Sequence, residues 1–282
     1  MALRDRQAKI ARGLPTFEGW ARSRFRLGRS GLAVLGVAVV TVAGAAVVFA
    51  AMLEDVLTRD GIALRDSGFD QAIADHRTPA LVNLAKVLSD AGSIGVLVAM
   101  AVVVSAVLWA RRSRLGEALA PLVSVGLAAV CVAALKALVG RARPDLPLRL
   151  LNETEPSFPS GHAADSTAVF VSLAIVLAVV VLRRPLARAL AIAVGFAVPA
   201  LIGLTRLELG VHWPSDVIAG WALGTVAAVG VTAALILLGR FADTAGRDPV
   251  GLWPRALHVL AMRRPQRSVS SMSIRTIHAR SL

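Results

Sequence analysis

Three polar clusters interrupt an otherwise apolar sequence, and each contains side chains that can bind or transfer an anion. The first cluster contains Lys136 and Arg143, seven residues apart and followed by Pro144. An ammonium group and a planar guanidinium are well suited to phosphate oxygens. Seven residues are about two turns of a helix, which would point both cations the same way. The cluster therefore predicts a phosphate-binding pair on one helix face.

The second cluster is the run from Pro159 to His162. Pro159 and Gly161 indicate a loop, and Ser160 is a typical N-cap for a helix that follows. A helix N-terminus attracts anions through its free N–H groups, and Gly161 would let the backbone approach an oxyanion closely. His162 can carry a proton near neutral pH. The run is typical of an ordinary helix start or of an anion site with a proton donor.

The third cluster contains Arg206, His212 and Asp216, with Pro214 at a position that suits the start of a helix. Asp216 follows His212 by four residues, so its carboxylate can accept a hydrogen bond from the imidazole and fix its tautomer. That is the orienting role of the third group in a nucleophilic triad. The alternatives are a surface histidine and a carboxylate that only complements the helix dipole.

The elements that must position these clusters are membrane-spanning helices. The chain has 282 residues, of which 56% are hydrophobic and 17% are charged, and its mean hydropathy is +0.68. This composition excludes a disordered chain and disfavours an ordinary soluble domain. The one cysteine, Cys131, excludes an internal disulfide and is expected to be a small buried residue.

Six apolar segments approach or exceed the roughly 20 residues that a bilayer-spanning helix needs. They are 31–53, 93–110, 118–139, 163–182, 186–204 and 216–239. We therefore predict an all-α polytopic membrane protein, a six-helix transmembrane bundle over 31–239. A secretory signal is the alternative for the first segment, but 23 apolar residues exceed the usual core of such signals.

The net charge of +13 lies mainly outside this core. Residues 1–30 and 240–282 each hold eight Lys/Arg against two acidic residues, which predicts basic cytoplasmic tails and disfavours nucleic acid as a partner. Further arginines flank the spans on the same side: Arg111, Arg112, Arg114, Arg183, Arg184 and Arg188. The 54–92 segment has seven acidic and four basic residues and is expected outside. Both termini are then cytoplasmic.

Within 54–92, four apolar residues recur at helical spacing after Pro79: Leu81, Leu84, Ala85 and Leu88. They predict an amphipathic helix that lies on the outer membrane surface or caps the bundle. With six spans, all three polar clusters fall at the outer face. We therefore expect them to converge at one mouth. Arg141, Arg143 and Arg149 would lie outside, on the side that disfavours arginine, which supports an anion there.

These motifs resemble the signature of the type 2 phosphatidic acid phosphatase (PAP2) family, K-x6-R-P, P-S-G-H and S-R-x5-H-x3-D. This chain has Lys136-x6-Arg143-Pro144, Pro159-Ser160-Gly161-His162 and Thr205-Arg206-x5-His212-x3-Asp216. The resemblance covers roughly 121–236. Thr205 stands where the family usually has serine, which keeps the hydroxyl and adds a methyl group.

The resemblance implies a phosphatase that uses no metal and no other cofactor. It implies that His212 is the nucleophile that forms a phosphohistidine, that Asp216 orients it, and that His162 is the general acid. It further implies a phosphate-binding set made of Lys136, Arg143, Ser160, Gly161 and Arg206. The physics of phosphoryl transfer agrees, since positioning and electrostatic stabilisation of the oxygens dominate it.

A mouth at the membrane interface favours a lipid phosphate, with its head group among the cations and its tails in the bilayer. The candidates are undecaprenyl diphosphate, slightly preferred, and then phosphatidate and phosphatidylglycerol phosphate. The composition leans towards a bacterial inner membrane. A phosphotransferase that uses the same intermediate is the alternative enzyme, and a transporter or scaffold is the alternative without chemistry. The oligomeric state stays open.

Overall fold

The computed structural model describes residues 29–111 and 113–245. These residues form eight α-helices and no strand. The helices are α1 Arg29–Thr58, α2 Asp66–Asp75, α3 Pro79–Ala91, α4 Ile94–Ala110, α5 Leu115–Val139, α6 Gly161–Val176, α7 Pro185–Glu208 and α8 Pro214–Ala245. A π-helical turn, Leu177–Val181, continues α6. The predicted tails, 1–30 and 240–282, lie almost entirely outside the described residues.

The helices include five that are long and apolar enough to cross a membrane by themselves. They are Leu32–Thr58, Leu115–Val139, Gly161–Val181, Pro185–Glu208 and Pro214–Gly239. The sixth candidate is the pair α3 and α4, which are bent by 51° relative to each other. The predicted all-α bundle is therefore confirmed, with five candidate spans, or six if α3 and α4 count as one bent span.

Helix α6 is the centre of the bundle and packs against α5, α7 and α8. Eleven of its residues are buried, and they are almost all small or β-branched. Two glycines of α8 explain how closely α8 approaches it. A Cβ at Gly220 would lie 2.6 Å from the Ser160 carbonyl oxygen, and one at Gly224 would lie 2.3 Å from that of Ala164. Only glycine lets the two backbones pack at this distance.

The first span is a full helix that packs along α8. Its Met52 is buried against Phe158 and Ala219, next to the run that starts α6. The rings of Phe49 and Phe158 lie 6.1 Å apart. Helix α1 therefore supports the loop that carries the second polar cluster.

Two helices form the segment between α1 and α4. The predicted amphipathic helix is α3, where the Thr78 hydroxyl caps the N-terminus by accepting from the Leu81 N–H at 3.3 Å. Its Ala85 and Ser89 are buried, and it packs against α7. Helix α2 was not predicted, because its polar sequence has no apolar periodicity. It nevertheless buries two carboxyl side chains, Asp66 and Asp70.

Candidate active site

The three polar clusters come together at one end of the bundle. The site is built from the end of α5, the loop 140–160, the start of α6, the end of α7 and the start of α8. Backbone hydrogen bonds join these parts: the Ser160 N–H donates to the Asp216 carbonyl at 3.0 Å, and the Ser157 N–H donates to the Arg141 carbonyl at 2.9 Å. Residues that are up to 80 positions apart in sequence therefore face one another.

Lys136 and Arg143 do not share a helix face, so that prediction is wrong. Helix α5 ends at Val139, and Gly140 at φ 62° terminates it in the left-handed region that favours glycine. Arg143 therefore reaches the site from the following loop. Lys136, near the end of α5, donates to the Glu155 carboxylate at 2.9 Å.

His212 and Asp216 form the predicted pair. Their side chains are almost fully buried, and His212 Nδ1 lies 3.4 Å from Asp216 Oδ2. Asp216 stands in the first turn of α8, which begins at Pro214 as predicted. The Trp213 backbone N–H donates to the same carboxylate oxygen at 3.0 Å and fixes its position. The carboxylate can therefore hold a proton on Nδ1.

The other imidazole nitrogen faces a cation. Arg143 Nη1 donates to His212 Nε2 at 3.3 Å, so Nε2 presents its lone pair while Nδ1 carries the proton. Burial lowers the pKa of His212 to about 4, with the Asp216 carboxylate acting in the opposite direction and Arg143 adding to the decrease. A neutral imidazole with an unprotonated Nε2 can act as a nucleophile at neutral pH, once the lone pair that accepts from Arg143 turns to the substrate.

Glu153 connects two of the predicted phosphate-binding arginines, and the sequence analysis missed it. Its Oε1 accepts from Arg206 Nη2 at 2.5 Å, and its Oε2 accepts from Arg143 Nη2 at 3.2 Å. The two arginines keep the pKa of Glu153 below its usual value, although burial acts in the opposite direction. Its side chain is 30% exposed, so the carboxylate lies at the mouth between the two cations.

Arg206 is the most buried of the three cations, at 1% exposure. Its Nη1 donates to the Ser89 hydroxyl of α3, and its Nε has no hydrogen-bond partner among the described residues. The amphipathic helix therefore holds one of the site arginines. Nothing in the apolar pattern of α3 indicated this role for Ser89.

The start of α6 contributes Ser160, Gly161 and His162. Ser160 is the N-cap residue, as predicted, but its hydroxyl caps nothing and has no partner among the described residues although it is fully buried. A Cβ at Gly161 would meet only Val132, at 3.5 Å, and Asp165, at 3.8 Å. His162 lies within electrostatic range of Arg206, His212 and Glu153.

Two positions beside the third cluster are explained by packing. The Thr205 hydroxyl donates to the Ile202 carbonyl at 2.7 Å within α7, so it does not reach the site. Gly210 has φ 64°, and a Cβ there would lie 2.1 Å from the Leu148 carbonyl oxygen. Only glycine allows the turn that carries the chain from α7 to His212.

The donor set does not resemble a metal centre. Among residues 29–111 and 113–245, no group of three or more His, Cys, Asp or Glu side chains is arranged to hold a metal ion. The charged groups instead alternate in sign, with Glu153 between two arginines and Glu155 against Lys136. This arrangement suits an anionic ligand.

Comparison with known proteins agrees with this geometry. The family model described as the PAP2 superfamily matches residues 117–238, which include every residue of the three clusters. The matched residues, which are less than half of the chain, are similar to proteins of the PAP2 superfamily. The PAP2 region thus begins near the N-terminus of α5 and ends in α8, while α1 to α4 lie before it.

Curated relatives with this PAP2 region are phosphatases. Phosphatidylglycerophosphatase B of Bacillus subtilis is 26% identical over 159 residues, 56% of this chain and 77% of that protein. Decaprenylphosphoryl-5-phosphoribose phosphatase of Mycobacterium tuberculosis is 39% identical over 103 residues. That match covers 34% of this chain and 49% of the mycobacterial protein, so this chain spans only about half the length of that relative. The relatives that share this region are therefore enzymes of the phosphatase class.

A solved structure shares the fold. It is the crystal structure of the first transmembrane PAP2 type phosphatidylglycerolphosphate phosphatase from Bacillus subtilis. The similarity has a TM-score of 0.62 at 24% identity and covers 67% of this chain and 94% of that one. The two chains therefore share their helical arrangement.

Proposed function

We propose that this protein hydrolyses a lipid phosphate or diphosphate without a metal ion, through a phosphohistidine formed on His212. One observation carries the proposal. The Glu153 carboxylate lies between Arg143 and Arg206, beside the nucleophilic nitrogen of His212. These cations already hold an oxyanion, and a phosphoryl group can take its place.

In the first step the substrate phosphoryl group displaces the Glu153 carboxylate from the two arginines. His212 Nε2 then attacks phosphorus, so that a P–N bond forms and the P–O bond to the lipid breaks. Protonated His162 donates its proton to the leaving oxygen. Asp216 stabilises the positive charge that develops on the imidazole, since its carboxylate faces Nδ1.

In the second step water hydrolyses the phosphohistidine. Neutral His162 accepts a proton from the water, whose oxygen attacks phosphorus as the P–N bond breaks. Inorganic phosphate leaves, His212 is neutral again and His162 is protonated again. The two histidines thus complete one cycle with no net change.

Several groups are placed to stabilise the transferring oxygens. The unpartnered Ser160 hydroxyl and the Gly161 N–H lie at the N-terminus of α6, where the helix dipole favours negative charge. Lys136 can exchange its exposed partner Glu155 for a phosphate oxygen, since the side chain of Glu155 is 73% exposed and easily rehydrated. Fixed donors of this kind supply much of the rate enhancement in phosphoryl transfer.

The proposed location is a bacterial cell membrane with the site at the outer face. The segments after α4 and before α7 carry Arg111, Arg114, Arg183 and Arg184, and Arg188 lies in the first turn of α7, all at the end of the bundle opposite the site. The positive-inside rule places that end, and both termini, in the cytoplasm. The proposed substrate is then a lipid whose phosphate faces the outside.

Undecaprenyl diphosphate is the first substrate to test. The proposal includes phosphatidate and phosphatidylglycerol phosphate, and the named activities of the relatives add decaprenylphosphoryl-5-phosphoribose and lipid A 1-phosphate to the panel. Purified protein in detergent with EDTA is given each lipid, and inorganic phosphate is measured with His212→Ala as the control. We expect release from at least one lipid by the wild type only.

Equal release by wild type and His212→Ala would contradict the proposed mechanism. Product analysis in the presence of a lipid or sugar alcohol separates hydrolysis from phosphotransfer. We expect inorganic phosphate as the product; a phosphorylated acceptor would identify a phosphotransferase with the same intermediate.

A further inference from the structure

Asp66, the first residue of α2, reaches into the site from the segment before the PAP2 region. Its side chain is 3% exposed. Oδ1 accepts from the Ser215 backbone N–H at 3.1 Å, and Oδ2 accepts from the Ser215 hydroxyl and from Arg141 Nη2 at 2.7 Å. Helix α2, although polar, thus buries the Asp66 carboxylate against the start of α8, with both of its oxygens hydrogen-bonded.

Arg141 connects Asp66 to the nucleophile's partner. Its Nη1 donates to Asp216 Oδ1 at 2.5 Å and to the Ser215 hydroxyl at 2.7 Å, and its guanidinium carbon lies 5.7 Å from the centre of the Trp213 ring. The other Asp216 oxygen faces His212. A continuous chain of contacts therefore runs from Asp66 through Arg141 and Asp216 to His212.

We propose that Arg141 and Asp66 are positioning residues that hold the Asp216 carboxylate in line with His212 and set the charge it presents there. The inference rests on the proposed function for its catalytic meaning. Arg141 locks one oxygen of Asp216, which leaves only the other to orient the imidazole. Asp66 offsets the charge of Arg141, so that the arginine does not cancel the carboxylate on which His212 depends.

Because Arg141 and Asp66 carry opposite charges, neutralising one or the other should shift the pKa of His212 in opposite directions. Neutralising Arg141 leaves the Asp216 carboxylate uncompensated, which favours the imidazolium and raises the pKa of His212. Neutralising Asp66 leaves the positive charge of Arg141 uncompensated, which lowers the pKa of His212. The other groups that face His212 stay the same in both variants: Asp216, Arg143, Arg206, Glu153 and His162. A residue that only supported the fold would not produce displacements of opposite sign.

The test compares Arg141→Gln and Asp66→Asn by two measurements on the full chain in detergent. NMR titration of histidine-labelled protein follows the His212 imidazole directly, and His212→Gln assigns its signal among the five histidines. We expect the titration midpoint to move up by roughly 0.5–1 pH unit in Arg141→Gln and down by a similar amount in Asp66→Asn. The acidic limb of kcat/KM should move in the same two directions.

Charge-preserving variants separate position from charge. Arg141→Lys and Ser215→Ala should leave the His212 midpoint within about 0.3 pH unit of wild type while kcat falls about 10- to 100-fold and KM changes little, because misplaced reacting groups lower the rate of the chemical step. The matched controls are Arg65→Gln and Asp75→Asn, which remove exposed charges at either end of the same segment. They should change neither measurement.

The inference is wrong if the two neutralising variants move the His212 midpoint in the same direction or leave it unchanged. It is also wrong if Arg141→Lys keeps the wild-type kcat. The NMR titration requires no turnover, so it tests this inference independently of the proposed function. A wild-type protein that released no phosphate would contradict the proposed function, and the titration midpoints of His212 would still decide this inference. If a neutralising variant fails to fold, Ser215→Ala and Arg141→Lys decide it through kcat.

Discussion

Glu153 holds Arg206 through a charge-assisted hydrogen bond of 2.5 Å, at the place where the proposed mechanism needs a phosphate oxygen. The same carboxylate contacts Arg143. A ligand that binds both arginines must therefore displace a side chain of like charge. Glu153, an acidic loop residue, therefore competes with the substrate for the two arginines.

Replacing Glu153 should strengthen anion binding. In Glu153→Gln the two arginines lose their internal anion, so we expect the inhibition constant of inorganic phosphate to fall about 3- to 10-fold. Inhibition by phosphate, measured in detergent against a lipid substrate, checks this. Glu155→Gln is the matched control on the same loop, and its exposed carboxyl should change the constant less than about twofold because water screens it. Weaker phosphate inhibition in Glu153→Gln would contradict the competition.

Ser160 should matter for activity and not for stability. Its buried hydroxyl has no partner among the described residues, so Ser160→Ala should leave the thermal midpoint unchanged or higher while kcat/KM falls about 10- to 100-fold. Ser172 is the control, because its buried hydroxyl bonds Thr232 at 2.8 Å. Ser172→Ala should cost about 1–2 kcal/mol of stability and keep the activity. The reverse pattern in the two variants would remove Ser160 from the site.

The pH dependence of the wild type should follow a neutral nucleophile. Burial lowers the pKa of His212 to about 4, so the reactive neutral form persists as the pH falls and is lost only near that value. We expect the acidic limb of kcat/KM that belongs to His212 to lie well below 6.5, the ordinary histidine value. The pH profile of kcat/KM is measured with a lipid monophosphate and with a lipid diphosphate to identify this limb. A limb that arises from an enzyme group lies at the same pH in both profiles, whereas one that arises from ionisation of the substrate shifts between them. A shared limb at 6.5 or above would contradict the geometry.

The orientation of the site can be tested with the chain's one cysteine removed. In a Cys131→Ser background, Leu146→Cys labels the loop beside the site and Arg184→Cys labels the opposite end of the bundle. Both positions are exposed, Leu146 at 73%. A membrane-impermeant maleimide added to intact cells should modify the first variant and not the second. Modification of Arg184→Cys alone would place the site in the cytoplasm.

The sequence was sufficient for the apolar helices, for α3 and for the residues of the three motifs, because apolar pattern and fixed spacing carry that information. It missed the polar helix α2. It misplaced Arg143 because the seven-residue spacing was taken as helical, although the predicted span ends at residue 139 and Gly140 is a typical helix terminator. It missed Glu153, which stands in a polar loop without periodicity. It also missed Asp66, whose contact with Arg141 joins residues 75 positions apart. Such contacts depend on how the outer helices pack, which no local pattern encodes.

The central claim is that His212 carries the phosphoryl group during turnover. Protein is mixed with a lipid phosphate labelled with ³²P at the scissile phosphoryl group, quenched within milliseconds in alkali and separated by gel electrophoresis, since phosphohistidine survives alkali and is lost in acid. We predict label on the wild type that acid treatment removes, and none on His212→Ala. Label on His212→Ala, or release of phosphate from it at the wild-type rate, would contradict the account.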